Sequence, residues 1–303
     1  PGSLNVPLNC LDDVDDVDVV DEPDDESTSS SEETSSTESE EPVIEEDPHA
    51  APQRAGLAEY SWDELSAIAD EIAQASDPIE IARYYKLVNS SGKLEGQVKL
   101  VEFAGAEHYV QIIGFAQDEK TSGGKAGITF QFTDILALKK MRNSKSNAGG
   151  WAYNNEIRDW LSSRVGGKLP KELRRHIVSV EKLTNNDGKT SRTSSVSASS
   201  DKLWIPSYIE VFGTTDKAVL SAEGSQYQRF RDEGVTDAHD STERVKNPTL
   251  IKTYKGSKKS WWLRSPNPES STTVYDIYST TGEWNMSHAN TGGSIGVCPC
   301  FCL

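Results

Sequence analysis

Two C-terminal segments, Trp261-Trp-Leu-Arg-Ser-Pro266 and Gly296-Val-Cys-Pro-Cys-Phe-Cys-Leu303, frame the clearest structural pattern in the chain. Between them, the alternation in Val274-Tyr-Asp-Ile-Tyr278 predicts a β-strand. Thr281-Gly282 predicts a turn, and Gly282-Glu-Trp-Asn-Met286 predicts the start of the returning strand. We expect the last segment to close the chain as a final strand.

The tryptophans of this region are more typical of core anchors than of a carbohydrate-stacking platform. Burying an aromatic side chain contributes roughly 2–3 kcal/mol, which favours a core position for Trp261 and Trp262 and, less strongly, for Trp284. Arg264 follows the tryptophan pair, and its planar guanidinium is expected to act as an internal hydrogen-bonding fork.

Helix signals begin upstream near Ala58. Ser61-Trp-Asp-Glu64 has the pattern of a capping box, and the apolar positions that follow fall on one helical face. Asp77-Pro78 ends this helix and starts a second one. A further helix is expected at Asn155–Leu161.

Strand signals lie between these helices. Val98–Phe103 and His108–Phe115 flank Gly105 and predict a hairpin, and Gly127–Phe132 predicts a third strand. A strand is also expected at 177–183, followed by a long Ser/Thr-rich loop over 184–200. Short helices, short strands and long loops together indicate an α+β fold.

The charge is distributed unevenly along the 303 residues, whose net charge is −17. The first 50 residues hold 18 acidic residues and no Lys or Arg, which leaves 31 basic and 30 acidic residues in the remainder. Without a surplus of cations, a nucleic-acid partner is not expected. No apolar run is long enough to span a bilayer.

The acidic N-terminal segment is of low complexity. Like charges repel and there is little to bury, so residues 1–57 are predicted to be a disordered linker or stalk. Two further parts are expected after it: helices and a hairpin over 58–142, and the core with a ligand-display region over 143–303. The chain begins at Pro1, so an anchor or leader upstream remains an open expectation.

Candidate metal ligands are sparse. The five histidines are scattered along the chain, at spacings that do not suggest a metal site. Cys298-Pro-Cys-Phe-Cys302 places its three thiols on one side of a predicted strand, where a Cys-x-Cys pair can bind Cu(I). Three small, semi-buried side chains are the favoured interpretation, and no metal or other cofactor is expected.

A combination of motifs resembles the C-terminal end of a bacterial domain family of unknown function that occurs in cell-surface and prophage proteins. The motifs are Trp261-Trp-Leu-Arg-Ser-Pro266, Tyr275-Asp-Ile-Tyr-Ser279, Gly282-Glu-Trp284 and Gly296-Val-x-Pro-x-Phe301. Two further segments match the family's upstream helix and strand: Asn155–Leu161 and Asp201-Lys-Leu-Trp-Ile205. The similarity covers residues 60–303 and is strongest from 148 onward.

This resemblance implies a C-type-lectin-like fold, in the version shared with formylglycine-generating enzymes. Some relatives are variable proteins of diversity-generating retroelements, whose rewritten residues form a ligand-binding face. That role implies a display region over 271–300. The ligand-binding residues expected there are Thr272, Thr273, Tyr275, Tyr278, Glu283, Asn285, Ser287, Asn290, Ser294, Cys298 and Cys300.

Three functions therefore compete. The favoured one is a non-enzymatic display protein of a bacterial surface or phage that binds a protein or glycan on a cell surface. The second is a Cu(I)- or Fe-dependent oxidase related to formylglycine-generating enzymes that uses Cys298 and Cys300. Because the enzymes' surrounding motif does not match this chain, no catalytic residue is carried over. The third is a purely structural domain in a larger assembly.

Overall fold

A computed structural model of the chain describes residues 48–153, 155–238 and 245–303. The predicted acidic stalk lies mostly outside these residues. The residues from Pro48 to Leu303 form one compact unit. It contains short helices and small sheets, as expected for an α+β fold.

The helices are short and carry the predicted caps. At the N-terminus of α1, the Ser61 hydroxyl accepts from the Glu64 amide and the Glu64 carboxylate accepts from the Ser61 amide. At the N-terminus of α2, the Asp77 carboxylate accepts from the backbone amides of Ile79 and Glu80, and Pro78 occupies the first position. The α-helices are α1 (Trp62–Gln74), α2 (Pro78–Tyr84), α3 (Glu156–Trp160), α4 (Lys171–Arg174), α5 (Tyr208–Phe212), α6 (Ala218–Ser221) and α7 (Gln228–Asp232).

The strands are likewise short. They are β1 (Lys99–Phe103), β2 (Ala106–Phe115), β3 (Ile128–Phe132), β4 (Ala137–Leu138), β5 (Val180–Asn185), β6 (Val196–Asp201), β7 (Lys252–Tyr254), β8 (Ser257–Lys259), β9 (Trp261–Pro266), β10 (Thr273–Ile277), β11 (Trp284–His288), β12 (Gly296–Val297) and β13 (Cys300–Cys302).

The first sheet places the last strand, β13, beside three strands from the first half of the chain. Its strand order is β1-β2-β3-β13, with antiparallel pairing throughout, and it contains the predicted hairpin at Gly105. Helix α1 packs on it through Trp62, whose ring contacts Phe130 and Phe301 at centroid distances of 5.7 and 6.2 Å. Because β13 pairs with β3, the predicted parts 58–142 and 143–303 share one sheet.

The second sheet carries the C-terminal region and has the order β11-β10-β9-β12-β4. The predicted single final strand is wrong. Pro299 has no backbone N–H and separates β12, in this sheet, from β13, in the first sheet. The Pro299 carbonyl instead accepts from the Phe132 amide at 3.0 Å, so the chain crosses between the two sheets within a few residues.

Two further predictions, one about residues 184–200 and one about the start of the packed part, need correction. The region expected as a long loop over 184–200 contains β6, which pairs with β5 over six residue pairs. Its sequence Val-Ser-Ala-Ser-Ser-Asp lacks an apolar face, so periodicity does not reveal a strand. The packed part also starts earlier than Ala58, because Ala51 and Leu57 are buried.

Within the described residues, no helix is both long enough and apolar enough to cross a membrane.

Candidate functional site

Strand β9 pairs with strand β10 of the predicted display region, and all of its residues are buried. The Trp261 indole donates to the Leu250 carbonyl at 2.8 Å, and the Trp262 indole donates to the Lys139 carbonyl at 2.7 Å. Each ring is therefore buried with its N–H satisfied, which is the arrangement a buried tryptophan requires. The prediction of two core anchors is confirmed.

Arg264, also on β9, links this strand to helix α5. Its guanidinium pairs with both carboxylate oxygens of Glu210 on α5 and donates to Thr184 Oγ1 at 3.0 Å. Burial would raise the pKa of Glu210, but the charges of Arg264 and Lys182 outweigh it and hold that pKa below its ordinary value. The predicted internal fork is confirmed.

Lys182 extends this arrangement into a buried charge cluster. Its Nζ lies 2.6 Å from Asp118 Oδ1 and 2.6 Å from Glu210 Oε1, and it donates to the Tyr227 hydroxyl at 3.0 Å. Thr129 donates to the second oxygen of Asp118 at 2.6 Å. Charges this deeply buried need such complete pairing, because desolvation is costly.

The cluster was not foreseen from sequence. The available signal was the alternation in β5, which places Lys182 on the same inward face as Val180 and Thr184. A lysine at an inward strand position is rarely buried unless a carboxylate pairs with it. Nothing in the sequence identifies Asp118 as that carboxylate, since it is 64 residues away.

Strands β10 and β11 form a hairpin beside β9 in the same sheet. In their register, Tyr275 lies opposite Met286 and Asp276 lies opposite Asn285. Side chains of neighbouring residues on a strand point to opposite faces. Tyr275 and Asn285 therefore lie on different faces of the hairpin.

Tyr275 itself lies in a covered, aromatic part of its face. The Tyr275 ring packs against Tyr208 at 4.8 Å and against Trp284 at 6.0 Å. Burial raises the pKa of the Tyr275 hydroxyl to about 12. The indole of the half-buried Trp284 donates to the Asp237 carbonyl at 3.1 Å, so this residue is an edge of the core rather than a free platform.

The opposite face holds a buried carboxylate. Asp276 accepts two contacts from the Asn285 amide, at 3.1 and 3.3 Å. Burial raises the pKa of Asp276 to about 6, and hydrogen bonds from Asn285 and Ser287 only partly oppose this. Asn285 and Ser287 thus have a structural contact in addition to partial exposure.

The predicted display residues separate into two groups. Those that are exposed or half-buried lie on the hairpin, in its turn and in the loop that follows: Thr272, Thr273, Tyr278, Asn285, Ser287, Asn290 and Ser294. Those that are buried are Tyr275, Glu283, Cys298 and Cys300. The prediction that all eleven project from one face is therefore wrong.

The cysteines need the largest correction. Cys298 and Cys300 are fully buried, because the two sheets cover the crossing point from β12 to β13. Cys298 Sγ donates to the Phe132 carbonyl at 2.8 Å, and burial raises the pKa of this thiol to about 11. They therefore cannot face a ligand in this conformation.

The same burial bears on the copper alternative. A thiol binds metal as the thiolate, and burial raises the pKa values of Cys298, Cys300 and Cys302. Among the residues that the structure describes, no cluster of three or more His, Cys, Asp or Glu side chains is placed to hold a metal ion. The donor chemistry therefore does not favour a copper oxidase.

Two exposed side chains in this region were missed. Met286 on β11 is 40% exposed, and His288 on the same strand is exposed as well. Alternation along the returning strand from Trp284 is the signal that relates them, since Trp284, Met286 and His288 share one face. With Tyr278, they add apolar and aromatic area to the polar residues named above.

The region just described falls within a recognised domain family. A family model with the description "Domain of unknown function (DUF6273)" matches residues 127–303, more than half of the chain. The chain belongs to this family. The resemblance to a domain family of unknown function is thereby confirmed, and every predicted display residue lies inside the matched stretch. No curated protein and no solved structure matches the chain.

Proposed function

We propose that this DUF6273 protein is a non-catalytic binding module that presents the C-terminal hairpin and its adjoining loop to a ligand. The observation that carries the proposal is a contrast in burial within one sheet and its loops. Strand β9 is buried along its whole length, whereas Tyr278 and Met286 of the adjacent hairpin and Ser294 of the following loop are exposed. Exposed side chains on a rigid support can change identity at little cost in folding free energy.

The chemistry of this surface suits a protein or glycan ligand. Tyr278 supplies aromatic area with few rotatable bonds, and Thr272, Asn290 and Ser294 supply adaptable hydrogen bonds. These four side chains are uncharged, so we expect recognition by shape and hydrogen bonding more than by electrostatic attraction. A bacterial cell surface or a virion is the setting we propose.

We further propose that the fold is C-type-lectin-like and that this chain is a variable protein of a diversity-generating retroelement. The support is the motif set from Trp261 to Phe301 together with the mixed chemistry of the exposed positions. In this form of the proposal, variation is confined to exposed codons. Tyr275, Glu283, Cys298 and Cys300 are excluded from it, because they are buried.

The genomic neighbourhood tests the retroelement part of the proposal. We expect a reverse transcriptase gene and a near-copy of the coding segment for residues 271–294 that differs at adenines. The differing codons should be those of exposed or half-buried residues such as Tyr278 and Asn290. A near-copy whose differences fall on the codons of Trp261, Trp262 and Arg264 would contradict this reading.

Binding itself is tested with a matched pair of tyrosine variants. Tyr278 is 47% exposed in the proposed surface, and Tyr109 is 45% exposed on β2, in the other sheet. The labelled protein is applied to a glycan array and to a panel of whole bacterial cells. For any ligand found, Tyr278→Ala should weaken binding by roughly 1–3 kcal/mol, as aromatic contact residues do, while Tyr109→Ala leaves it unchanged.

Equal binding by both variants, for every ligand detected, would place the binding surface elsewhere.

A further inference from the structure

A cavity of about 450 Å³ lies outside the hairpin, between the segment 158–166 and the end of β6. Its volume is within the range of small-molecule sites in proteins. The buried side chains of Leu161, Ile177 and Leu203 give it an apolar floor. Charged groups and serine hydroxyls surround this floor.

The helix along one wall is locally widened. After α3, residues Leu161–Val165 form a π-helical turn, in which the Gly166 amide donates to the Leu161 carbonyl. The hydroxyls of Ser162 and Ser163 both donate to the Asp159 carbonyl, at 3.1 and 2.6 Å. In a regular α-helix, the Asp159 carbonyl accepts from the backbone N–H four residues later. The two serine hydroxyls compete with that N–H, which accounts for the wider turn. Such turns are frequent at functional sites.

The charged groups of the rim are not equivalent. Arg158 is committed to structure, because its Nε donates to Asp201 Oδ1 at 2.6 Å and its Nη2 donates to the Ser200 carbonyl at 3.1 Å. Arg174 is held at the rim by one contact, from Nη1 to the Gly167 carbonyl at 2.6 Å. Lys202 is exposed at the opposite wall. The exposed carboxylate of Asp159 lines the cavity as well. The mouth thus carries the cations Arg174 and Lys202 and one anion, above an apolar floor.

We propose that this cavity binds a small amphipathic organic anion, with its apolar body against Leu161, Ile177 and Leu203 and its anionic group beside Lys202 and Arg174. A carboxylate on a medium-length acyl or aryl body matches this division of chemistry. Arg158 and Asp201 act as positioning residues, since their ion pair keeps the wall in place. This site is independent of the hairpin surface proposed above.

The test uses the full chain and the fluorescent dye 8-anilinonaphthalene-1-sulfonate as the reporter, with sodium decanoate as the competing anion. Decanoate should displace the dye, whereas decylammonium, of equal length and opposite charge, should bind about tenfold more weakly. In an NMR titration with decanoate, the amide signals of Leu161, Ile177 and Leu203 should shift the most.

Three variants sharpen the test. Gly166→Phe places a ring in the cavity and should abolish displacement. A Cβ at Gly166 meets Leu203 Cδ1 at 3.7 Å, an ordinary contact, so Gly166→Ala should fold and bind decanoate more weakly. Lys202→Glu should weaken decanoate binding about fivefold, while the control Lys168→Glu, an exposed lysine nearby in sequence, should leave it unchanged.

The proposal is overturned if decanoate does not bind at millimolar concentration, or if its NMR shifts map away from this cavity. It is also overturned if Lys202→Glu and Lys168→Glu bind decanoate equally well. If Gly166→Phe fails to fold, decanoate binding by Gly166→Ala and Lys202→Glu is a sufficient test of the proposal.

Discussion

Buried charges at a few residues determine how firmly the display hairpin is supported. Arg264 reaches from β9 to Glu210 on α5, and Glu210 is shared with Lys182 on β5. A third buried carboxylate, Glu223, accepts from the backbone N–H of Asn185 at 2.8 Å and from the Ser265 hydroxyl. These contacts tie strands, helices and loops distant in sequence to one another.

Removing the guanidinium of Arg264 should therefore be costly. Arg264→Ala leaves the Glu210 carboxylate buried with one cation fewer, and we expect the free energy of unfolding to fall by about 3–5 kcal/mol. Urea denaturation measures the change. Arg192→Ala is the control, because Arg192 is exposed and its ion pair with Asp187 spans 3.5 Å; we expect a change below about 0.5 kcal/mol there. A loss below about 1 kcal/mol in Arg264→Ala would contradict the account.

Asp276 should make stability depend on pH. Its pKa in the folded protein, about 6, lies above the ordinary value of 3.8, so the native state holds the proton more tightly than the unfolded state does. The contribution of Asp276 to the free energy of unfolding should therefore fall as pH rises from about 4 through 6, by up to about 3 kcal/mol.

Asp276→Asn should remove this part of the pH dependence. The difference in unfolding free energy between the variant and the parent should be near constant below pH 4 and should then shift in favour of the variant up to neutral pH. Asp70→Asn, at an exposed position of α1, should track the parent throughout. A parallel pair of curves for Asp276→Asn and the parent would show that this carboxyl does not titrate as described.

Single residues were predictable where their chemistry restricted them. Trp261, Trp262 and Arg264 have large or forked side chains with few satisfactory environments, and their core roles were foreseen. Cys298 and Cys300 were not, because a small thiol fits either a covered or an open strand face. Alternation shows which side chains share a face, but it does not show whether another sheet covers that face.

At the scale of secondary structure, the β10–β11 hairpin depends on its turn. Gly282 has φ of +73°, a conformation that favours glycine. A Cβ at this position would lie 2.1 Å from the Asn247 carbonyl oxygen. The turn therefore packs against the loop that contains Asn247, and only glycine fits between them.

Gly282→Ala should consequently destabilise the protein by at least about 2 kcal/mol, from backbone strain and the clash with Asn247. Gly292→Ala is the matched control, since a Cβ there meets only Lys140 at 3.9 Å and the backbone is not in the left-handed region. We expect the control to change stability by less than about 0.5 kcal/mol. The midpoints of thermal unfolding of both variants measure the difference. Equal midpoints would show that the turn at Gly282 does not require glycine.

Elements with local signals were foreseen, and elements defined by long-range pairing were not. The capping box of α1 and the hairpin at Gly105 are encoded within a few residues. Strand β6 has no apolar face, and only its pairing with β5 reveals it. The division of the last segment into β12 and β13 depends on two different sheets, which no local pattern describes.

At the scale of the whole molecule, the two sheets meet where the chain ends. The last strand closes the first sheet, and the strand just before it joins the second sheet beside β9. The β10–β11 hairpin forms one edge of the second sheet. The core that supports it continues through the first sheet to helix α1. Because the exposed hairpin residues contribute little to this core, their identity can change while the core residues stay the same.

The central claim is that exposed and buried positions of residues 271–300 contribute differently to folding. We would compare two libraries, each with four randomised positions. The first varies Thr272, Tyr278, Asn290 and Ser294, which are exposed or half-buried; the second varies Tyr275, Glu283, Cys298 and Cys300, which are buried. The fraction of members that unfold cooperatively within about 5 °C of the parent is the measured quantity. We predict a majority in the first library and few in the second, and equal fractions would contradict the account.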